Sequence, residues 1–191
     1  MTTRVLVVCT GNVCRSPAAE LLLRDRLGAA DVDVASAGVH ALAGQPVDPP
    51  VAELLAERGV SPEGFRARQL DPAEAGAADV VLTMTREHRA AVVRARPGAV
   101  RRTLLLPEAA EAAAAIAREG WPADLPDVAA RLAALPRLAT RHRGAATAAA
   151  AAEVPDPHRQ SAAVHRSTVD LLAGAVDTLV TALGTGARPI G

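Results

Sequence analysis

Residues 4–17 read RVLVVCTGNVCRSP, and this stretch decides the expected fold. Its first five residues, 4–8, are mainly β-branched and apolar at consecutive positions, which is typical of a strand buried on both faces of a parallel sheet. The glycine and asparagine of the TGN sequence then interrupt regular structure. Ser16 and Pro17 suit the start of a helix, serine as its cap and proline in its first turn. The stretch therefore predicts a strand, a short loop and a helix.

The chain downstream alternates short apolar strands with helices. Further strands are expected at 32–35, 79–84 and 103–106, and helices at 48–59, from 71, at 85–96 and from beyond 157 to about 183. Strands that alternate with helices indicate a parallel sheet covered on both sides. We therefore predict an α/β fold, a three-layer sandwich of a four-stranded parallel sheet with helices on both faces. Its anion-binding loop would lie between strand 1 and helix 1.

The length of 191 residues suits one domain with a sizeable core. Residues 107–153 differ from the rest, because they contain alanine runs and prolines at 122, 126 and 136 that would divide them into short helices or loops. We predict a single domain, 1–191, that carries an alanine-rich helical insertion at about 107–153.

Composition narrows the choice of partner and compartment. Lysine and arginine together number 21, as do aspartate and glutamate, so nothing favours a nucleic acid or an anionic membrane as partner. The two cysteines, Cys9 and Cys14, cannot build a disulfide framework, which favours a reducing cytoplasm. The apolar run 5–8 is too short for a signal peptide or a membrane span. We expect a soluble cytoplasmic protein.

The loop that follows the first strand has the composition of an anion cradle. Five residues separate Cys9 at the strand end from Arg15 at the helix start, a length that can wrap one tetrahedral anion. The planar guanidinium of Arg15 can grip two phosphate oxygens at once. The lysine of a nucleotide-binding P-loop is missing. The backbone N–H groups expected to bind phosphate belong to Thr10, Gly11, Asn12, Val13, Cys14 and Arg15.

The position of Cys9 suits a nucleophile. A helix N-terminus and a neighbouring arginine favour the thiolate form of a cysteine, and a thiolate beneath a bound phosphorus atom can attack it in line. The hydroxyl of Ser16 can donate a hydrogen bond to that sulfur. The alternative is that Cys9 is a buried core residue that ends a strand. Cys14 is either a redox partner that protects Cys9 as a disulfide or a packing residue.

Residues 9–17, CTGNVCRSP, resemble the signature loop of the low-molecular-weight protein tyrosine phosphatase family. Similarities of lower specificity follow at Ser36-Ala37-Gly38, Ala67-Arg68-Gln69, Asp79 to Met84 and Asp156-Pro157, so the resemblance covers 4–106 and 154–184. It implies hydrolysis of phosphate monoesters, with phosphotyrosine in proteins as substrate, through a cysteinyl-phosphate intermediate. It also implies supporting roles for Ser16 and Ser36, and it requires no metal or organic cofactor.

Cleavage of a phosphate ester needs an acid for the leaving oxygen. Asp-Pro pairs occur at 48, 71 and 156, and each aspartate also suits a helix cap. The resemblance selects Asp156 as the acid. The five histidines show no metal-ligand spacing, so no metal site is predicted. His158 lies either at the mouth of the site or in solvent.

The sequence leaves the substrate and the activity open. The chain has one phenylalanine, Phe65, and one tryptophan, Trp121, so the aromatic rings that would hold phosphotyrosine are missing and a small phosphate ester is an alternative. Arsenate reductases share the fold and the loop. The absence of any cysteine after Cys14 argues against those that relay a disulfide, but not against those that use an external small thiol. The third alternative is a non-catalytic anion-binding regulator. The sequence does not predict an oligomeric state.

Overall fold

The computed structural model describes residues 2–141 and 153–184. Strands and helices alternate through the first 105 residues, and the regular elements in the remainder of the described chain are helices. The strands are β1 (Thr3–Cys9), β2 (Val32–Gly38), β3 (Val80–Thr83) and β4 (Thr103–Leu105). The helices are α1 (Arg15–Leu27), α2 (Pro49–Ala56), α3 (Pro72–Ala77), α4 (Arg86–Ala95), α5 (Leu106–Glu119), α6 (Val128–Ala139) and α7 (Ala162–Leu183).

The four strands form one parallel sheet in the order β2-β1-β3-β4. β1 is therefore an inner strand, with β2 on one side and β3 on the other. Its side chains alternate between two cores: Val5 and Val7 pack with α1, α5, α6 and α7, and Leu6 and Val8 pack with α3 and α4. Both faces are buried, which explains the continuous apolar run. The predicted three-layer α/β sandwich is confirmed.

The last helix, α7, lies against α1 and α5 and buries Val169, Leu172, Val176 and Leu179. Each such side chain contributes about 1.5–3 kcal/mol to stability when fully buried. The chain that leads into α7 is anchored at the end of β3, where Val154 N donates to Met84 O at 2.9 Å. This anchor places residues 154–158 beside the loop that follows β1.

The segment expected to be an insertion contains two helices, α5 and α6. α6 packs on the sheet, and the hydroxyl of Thr3 donates to Ala129 O at 2.9 Å. The expectation that prolines break this segment is wrong for Pro136, which lies inside α6. Ala145 to Ala152 lie outside the described residues, and the insertion stays a prediction. No helix among residues 2–141 and 153–184 is long and apolar enough to cross a membrane.

Candidate active site

The loop between β1 and α1 turns its carbonyl oxygens away from its concave side. These oxygens accept hydrogen bonds from the segment that follows β2: Val39 N donates to Cys9 O, His40 N to Thr10 O and Leu42 N to Gly11 O, each at 2.9 Å, and Asp48 N donates to Val13 O at 2.8 Å. A trans peptide points its N–H opposite to its C=O, so the amides of the next residues face inward. The predicted anion cradle therefore has its donors on the concave side.

The loop encloses a pocket of about 160 Å³. Its lining residues come from the loop, from the segment after β2 and from the segment before α7: Cys9, Thr10, Gly11, Val13, Cys14, Arg15, His40, Leu42, Asp156 and His158. The structure thus brings Cys9, Arg15 and Asp156 to one cavity, although the last two are 141 positions apart in the sequence. His158, which the sequence placed either at the mouth or in solvent, lines this pocket.

Gly38 explains why β2 can lie so close to the loop. A Cβ atom at this position would lie 2.5 Å from Thr10 O, which is backbone and cannot rotate away. Gly11 shows no comparable crowding, because a Cβ there would meet Val13 and Leu42 at ordinary distances of 3.5 and 3.8 Å.

Asn12 organises the inside of the loop. Its φ of 56° is left-handed, a conformation that asparagine adopts more readily than most residues. The side-chain amide donates to Ser16 Oγ at 2.9 Å and to Ser36 Oγ at 2.8 Å, and its oxygen accepts from Arg68 N at 2.8 Å. Asn12 is fully buried, so these bonds connect the loop to α1, to β2 and to the strand-like segment at 68.

Ser16 contacts the sulfur of Cys9 instead of capping the helix. α1 begins at Arg15, with Cys14 at the N-cap position, so the predicted serine cap is wrong. Ser16 Oγ lies 2.9 Å from Cys9 Sγ and accepts from Asn12 at the same time. Because the amide fills an acceptor position, the hydroxyl proton is free to donate to the sulfur.

Arg15 is only 4% exposed, and its guanidinium is held on several sides. Nη2 donates to Asp156 Oδ2 at 2.6 Å and to Thr10 Oγ1 at 3.3 Å, and Nη1 donates to Val154 O at 3.3 Å. Its buried Nε has no hydrogen-bond partner among the described residues. A buried N–H donor costs free energy when unpaired, so Nε suits an oxyanion oxygen in the pocket.

His88 lies beside the active-site loop, a position that was not predicted from the sequence. Its Nε2 lies 2.8 Å from Thr10 Oγ1, the hydroxyl that also accepts from Arg15. Burial, and then the charge of Arg15, lower the pKa of His88 to about 4, so the imidazole is neutral at neutral pH. The contact joins α4 to the loop, although the two residues are 78 positions apart in the sequence. No local sequence motif predicts it.

The three Asp-Pro pairs have different environments. Asp71 caps α3, because its carboxylate accepts from Ala73 N at 2.8 Å. Asp48 precedes α2, but its carboxylate makes no cap hydrogen bond. Asp156 lies in the segment before α7, whose cap is Ser161. The cap interpretation is thus right for Asp71, right for the position of Asp48 but without a side-chain hydrogen bond, and wrong for Asp156. Of the three aspartates, only Asp156 contacts Arg15.

Neither predicted aromatic residue reaches the pocket. Phe65 is buried in the larger core, and Trp121 donates from its indole N–H to Ala182 O at 2.8 Å. Among the described residues, the pocket rim is formed by aliphatic and imidazole side chains instead, including Leu42 and His158. The expected lack of an aromatic wall is confirmed for these residues.

Cys14 faces the same pocket as a free thiol, as does Cys9. Burial raises the pKa of Cys14 above its ordinary range, and the negative charge of Asp48 adds to this effect. Cys14 is therefore a protonated thiol at neutral pH. The protective disulfide between them stays a prediction.

Comparisons with known proteins agree with this geometry. The profile of the low molecular weight phosphotyrosine protein phosphatase family matches residues 4–115. The low molecular weight protein-tyrosine-phosphatase Etp of Escherichia coli K12 is 46% identical over 101 residues, which are 53% of this chain and 67% of that protein. Alignments with other curated relatives span 57 to 64% of their length.

Solved structures resemble the chain over almost its whole length. The tyrosine phosphatase Wzb of E. coli K30, in complex with sulphate, has a TM-score of 0.69 at 27% identity and covers 96% of this chain and 100% of its own. The YwlE arginine phosphatase of Geobacillus stearothermophilus has a TM-score of 0.68 at 26% identity, with 94% and 91% covered. The profile match covers more than half of the sequence, and the chain belongs to the low molecular weight phosphotyrosine protein phosphatase family.

Proposed function

We propose that this chain is a cysteine-dependent phosphatase that hydrolyses phosphate monoesters, with phosphotyrosine in proteins as its expected substrate. One observation carries the proposal: Cys9, Arg15 and Asp156 line one pocket whose loop amides face inward. A nucleophile, an oxyanion clamp and an acid are the groups that this reaction needs. The free thiols Cys9 and Cys14 suit a reducing cytoplasm, which we propose as its compartment.

The phosphoryl group would bind over Cys9 with its oxygens on the amides of residues 10–15. Arg15 would add its Nε–H, the donor that has no hydrogen-bond partner in the described part of the chain. These donors stabilise the charge that the equatorial oxygens carry in the transition state, a contribution of about 10²–10³ in rate for a single oxyanion donor. The contacts of Nη2 with Asp156 Oδ2 and Thr10 Oγ1 hold the guanidinium in place before substrate arrives.

In the first step, the Cys9 thiolate attacks phosphorus, an S–P bond forms and the P–O bond to the leaving group breaks. Asp156, in its protonated form, gives its proton to the departing oxygen. Its side chain is 50% exposed, so it can exchange protons with solvent between turnovers.

In the second step, water attacks the phosphorus of the cysteinyl phosphate. Asp156, now a carboxylate, accepts the proton of this water, the S–P bond breaks and inorganic phosphate is released. The Ser16 hydroxyl, 2.9 Å from the sulfur, stabilises the departing thiolate by donating a hydrogen bond. The cycle ends with Cys9 ionised and Asp156 protonated again.

Phosphoarginine in proteins is a second candidate substrate. The described pocket lining carries no phenylalanine, tyrosine or tryptophan to stack on a phenyl ring, and one structural neighbour is an arginine phosphatase. The exposed carboxylate of Asp156 could protonate a guanidinium nitrogen as it leaves phosphorus, in the same way as a phenolic oxygen. The mechanism differs only in that a P–N bond breaks.

Hydrolysis of a chromogenic aryl phosphate by the purified chain tests the proposal. We expect activity in the wild type, its loss in Cys9→Ser, and at least about a tenfold reduction in Asp156→Ala, since an acid–base group contributes 10²–10⁴. Asp71→Ala is the matched control, because Asp71 also precedes proline but caps α3. It should lower stability and leave kcat/KM unchanged.

The same protein distinguishes the alternatives. Arsenate-dependent consumption of a small thiol without aryl phosphatase activity would support the reductase instead, and inactivity in both assays would support an anion-binding regulator. Peptides that carry phosphotyrosine or phosphoarginine, compared by kcat/KM, decide between the two substrates.

A further inference from the structure

Three side chains beside the pocket place metal-ligand atoms close together. The sulfur of Cys14, a carboxylate oxygen of Asp48 and a ring nitrogen of His158 all lie within 4.8 Å of one another. Cys14 Sγ is 4.0 Å from His158 Nδ1. The three residues belong to the start of α1, the start of α2 and the segment before α7, so only the fold brings them together.

The carboxylate of Asp48 is oriented toward this cluster by its neighbours. It does not cap α2, although it occupies the N-cap position. His165 Nε2 lies 3.3 Å from Asp48 Oδ2, and His165 is itself held through Nδ1 to Ser161 O at 3.0 Å. Asp48 N donates to Val13 O, which fixes the residue to the loop. A carboxylate held in this way by a second residue is typical of metal ligands.

The charges at the cluster favour a cation. The carboxylate of Asp48 belongs to the cluster and sets a negative potential at the Cys14 sulfur. The same potential attracts a divalent ion, whose binding displaces the thiol proton. Cys14 is buried, whereas Asp48 and His158 are half-buried. Cys14 and His158 also line the pocket, so the cluster adjoins it.

We propose that Cys14, Asp48 and His158 bind a zinc ion that regulates the phosphatase by inhibiting it. Sulfur, nitrogen and oxygen ligands suit zinc, and a fourth, open position would face the pocket. Tetrahedral zinc separates its ligand atoms by roughly 3.5 Å, so ligand atoms that lie within 4.8 Å of one another must approach by at most about 1.3 Å. His158 lies outside any helix or strand and can supply this movement. Binding converts the Cys14 thiol to a zinc thiolate and releases one proton to solvent.

Inhibition follows from the position of the ion and rests on the proposed function. His158 N donates to Asp156 Oδ1 at 3.1 Å, so a metal on the His158 ring restrains the segment that carries the acid. The positive charge also favours the carboxylate form of Asp156 over the protonated form that the first step needs. Cys14 and His158 line the pocket, so the ion also occupies space needed by substrate.

Binding is measured apart from activity, on the full chain, with Co²⁺ as a spectroscopic probe and Zn²⁺ in competition with a chromogenic chelator. We expect one ion per chain, a thiolate-to-cobalt absorption band, and no change in Cys9→Ser. Asp48→Asn and His158→Gln should each weaken binding at least about tenfold, while Asp71→Asn should not. Binding that is lost in Cys9→Ser and kept in Asp48→Asn would place the metal on the nucleophile and overturn the proposal, as would no binding.

Zinc titration of aryl phosphate hydrolysis supplies the second readout. Zinc should inhibit the wild type at the concentrations that bind it, and the inhibition should require at least about tenfold more zinc in Asp48→Asn. If binding follows these expectations but the chain hydrolyses no phosphate ester, the metal site stands and the proposed function fails. Hydrolysis that zinc leaves unchanged at saturating occupancy overturns the inhibitory role.

Discussion

Arg15 and Asp156 form a 2.6 Å ion pair, although one residue opens the first helix and the other precedes the last. The Arg15 side chain is 5% exposed and the Asp156 side chain 50%, so a buried cation holds a carboxylate at the edge of solvent. The residue proposed to bind the phosphoryl oxygens and the residue proposed to protonate the leaving group therefore hold each other in position. Their contact also joins the last segment of the fold to the first loop.

Arg15→Lys should lower kcat/KM for an aryl phosphate by roughly 10²–10³. Lysine keeps the charge but loses the planar fork, and with it the simultaneous contacts to Asp156, Thr10 and Val154. Steady-state kinetics measure the effect, with Arg94→Lys on the exposed face of α4 as the control. Equal kcat/KM in the two variants would mean that charge alone suffices.

Gly38→Ala should destabilise the protein by about 1–3 kcal/mol and weaken phosphate binding. Its new methyl group would lie 2.5 Å from Thr10 O, so the loop carbonyl and the cradle must shift. Gly174→Ala is the matched control, since a Cβ there meets nothing within 4 Å in the middle of α7. It should stabilise by about 0.4–1 kcal/mol. Urea unfolding and competitive inhibition by phosphate provide the two measurements.

Asn12→Gly should cost roughly 2–3 kcal/mol of stability and most of the catalytic rate, because Ser36 Oγ and Arg68 N lose their buried partner. Glycine tolerates the φ of 56°, so this variant removes the hydrogen bonds without backbone strain. Asn12→Ala should lower the free energy of unfolding by about 1 kcal/mol more than Asn12→Gly does, because alanine disfavours the left-handed backbone conformation of this residue. Paired urea titrations measure both. Identical losses would mean that the backbone at this position relaxes.

The free energy of unfolding should fall as the pH is lowered from 6.5 toward 4, through His88. In this range the unfolded chain protonates the side chain while the folded protein, with a pKa of about 4, does not. The free energy of unfolding falls by at most about 3 kcal/mol, and the full loss is reached once the pH lies below the pKa of His88 in the folded protein.

Glu20 acts in the opposite direction, because burial raises its pKa and its contribution is lost as the pH rises above 4.5. The measurement is therefore the difference in free energy of unfolding between the wild type and His88→Gln, obtained from urea titrations at several pH values in this range. The variant should lose the slope that His88 causes. The same slope in both proteins would mean that the buried imidazole titrates normally.

The parts of the fold and site that the sequence predicts are those set by local chemistry. The continuous apolar run of β1 and the glycine and asparagine of the loop determine the strand, the turn and the cradle within a few residues. Asp71 caps its helix as its position suggests. For such features the interacting groups are neighbours in the chain, so the pattern contains the information.

The unpredicted parts depend on packing between distant elements. His88 reaches Thr10 only because β3 and α4 lie beside β1, and the side chain of Asp48 leaves its cap position because Cys14 and His165 lie next to it. Ser16 lies within α1 and not at its N-cap. The hydroxyl of Ser16 is used instead in its contacts with Cys9 and Asn12. No spacing rule in the sequence encodes these contacts.

The most direct measurement is a search for the phosphoryl group on Cys9. Asp156→Ala is mixed with an aryl phosphate that carries labelled phosphorus and a good leaving group, and denatured within the first turnover. Loss of the base slows the second step, so we expect label on the peptide that contains Cys9, up to one per chain, and none in Cys9→Ala. Label on another residue, or steady hydrolysis in Cys9→Ala, would contradict the account.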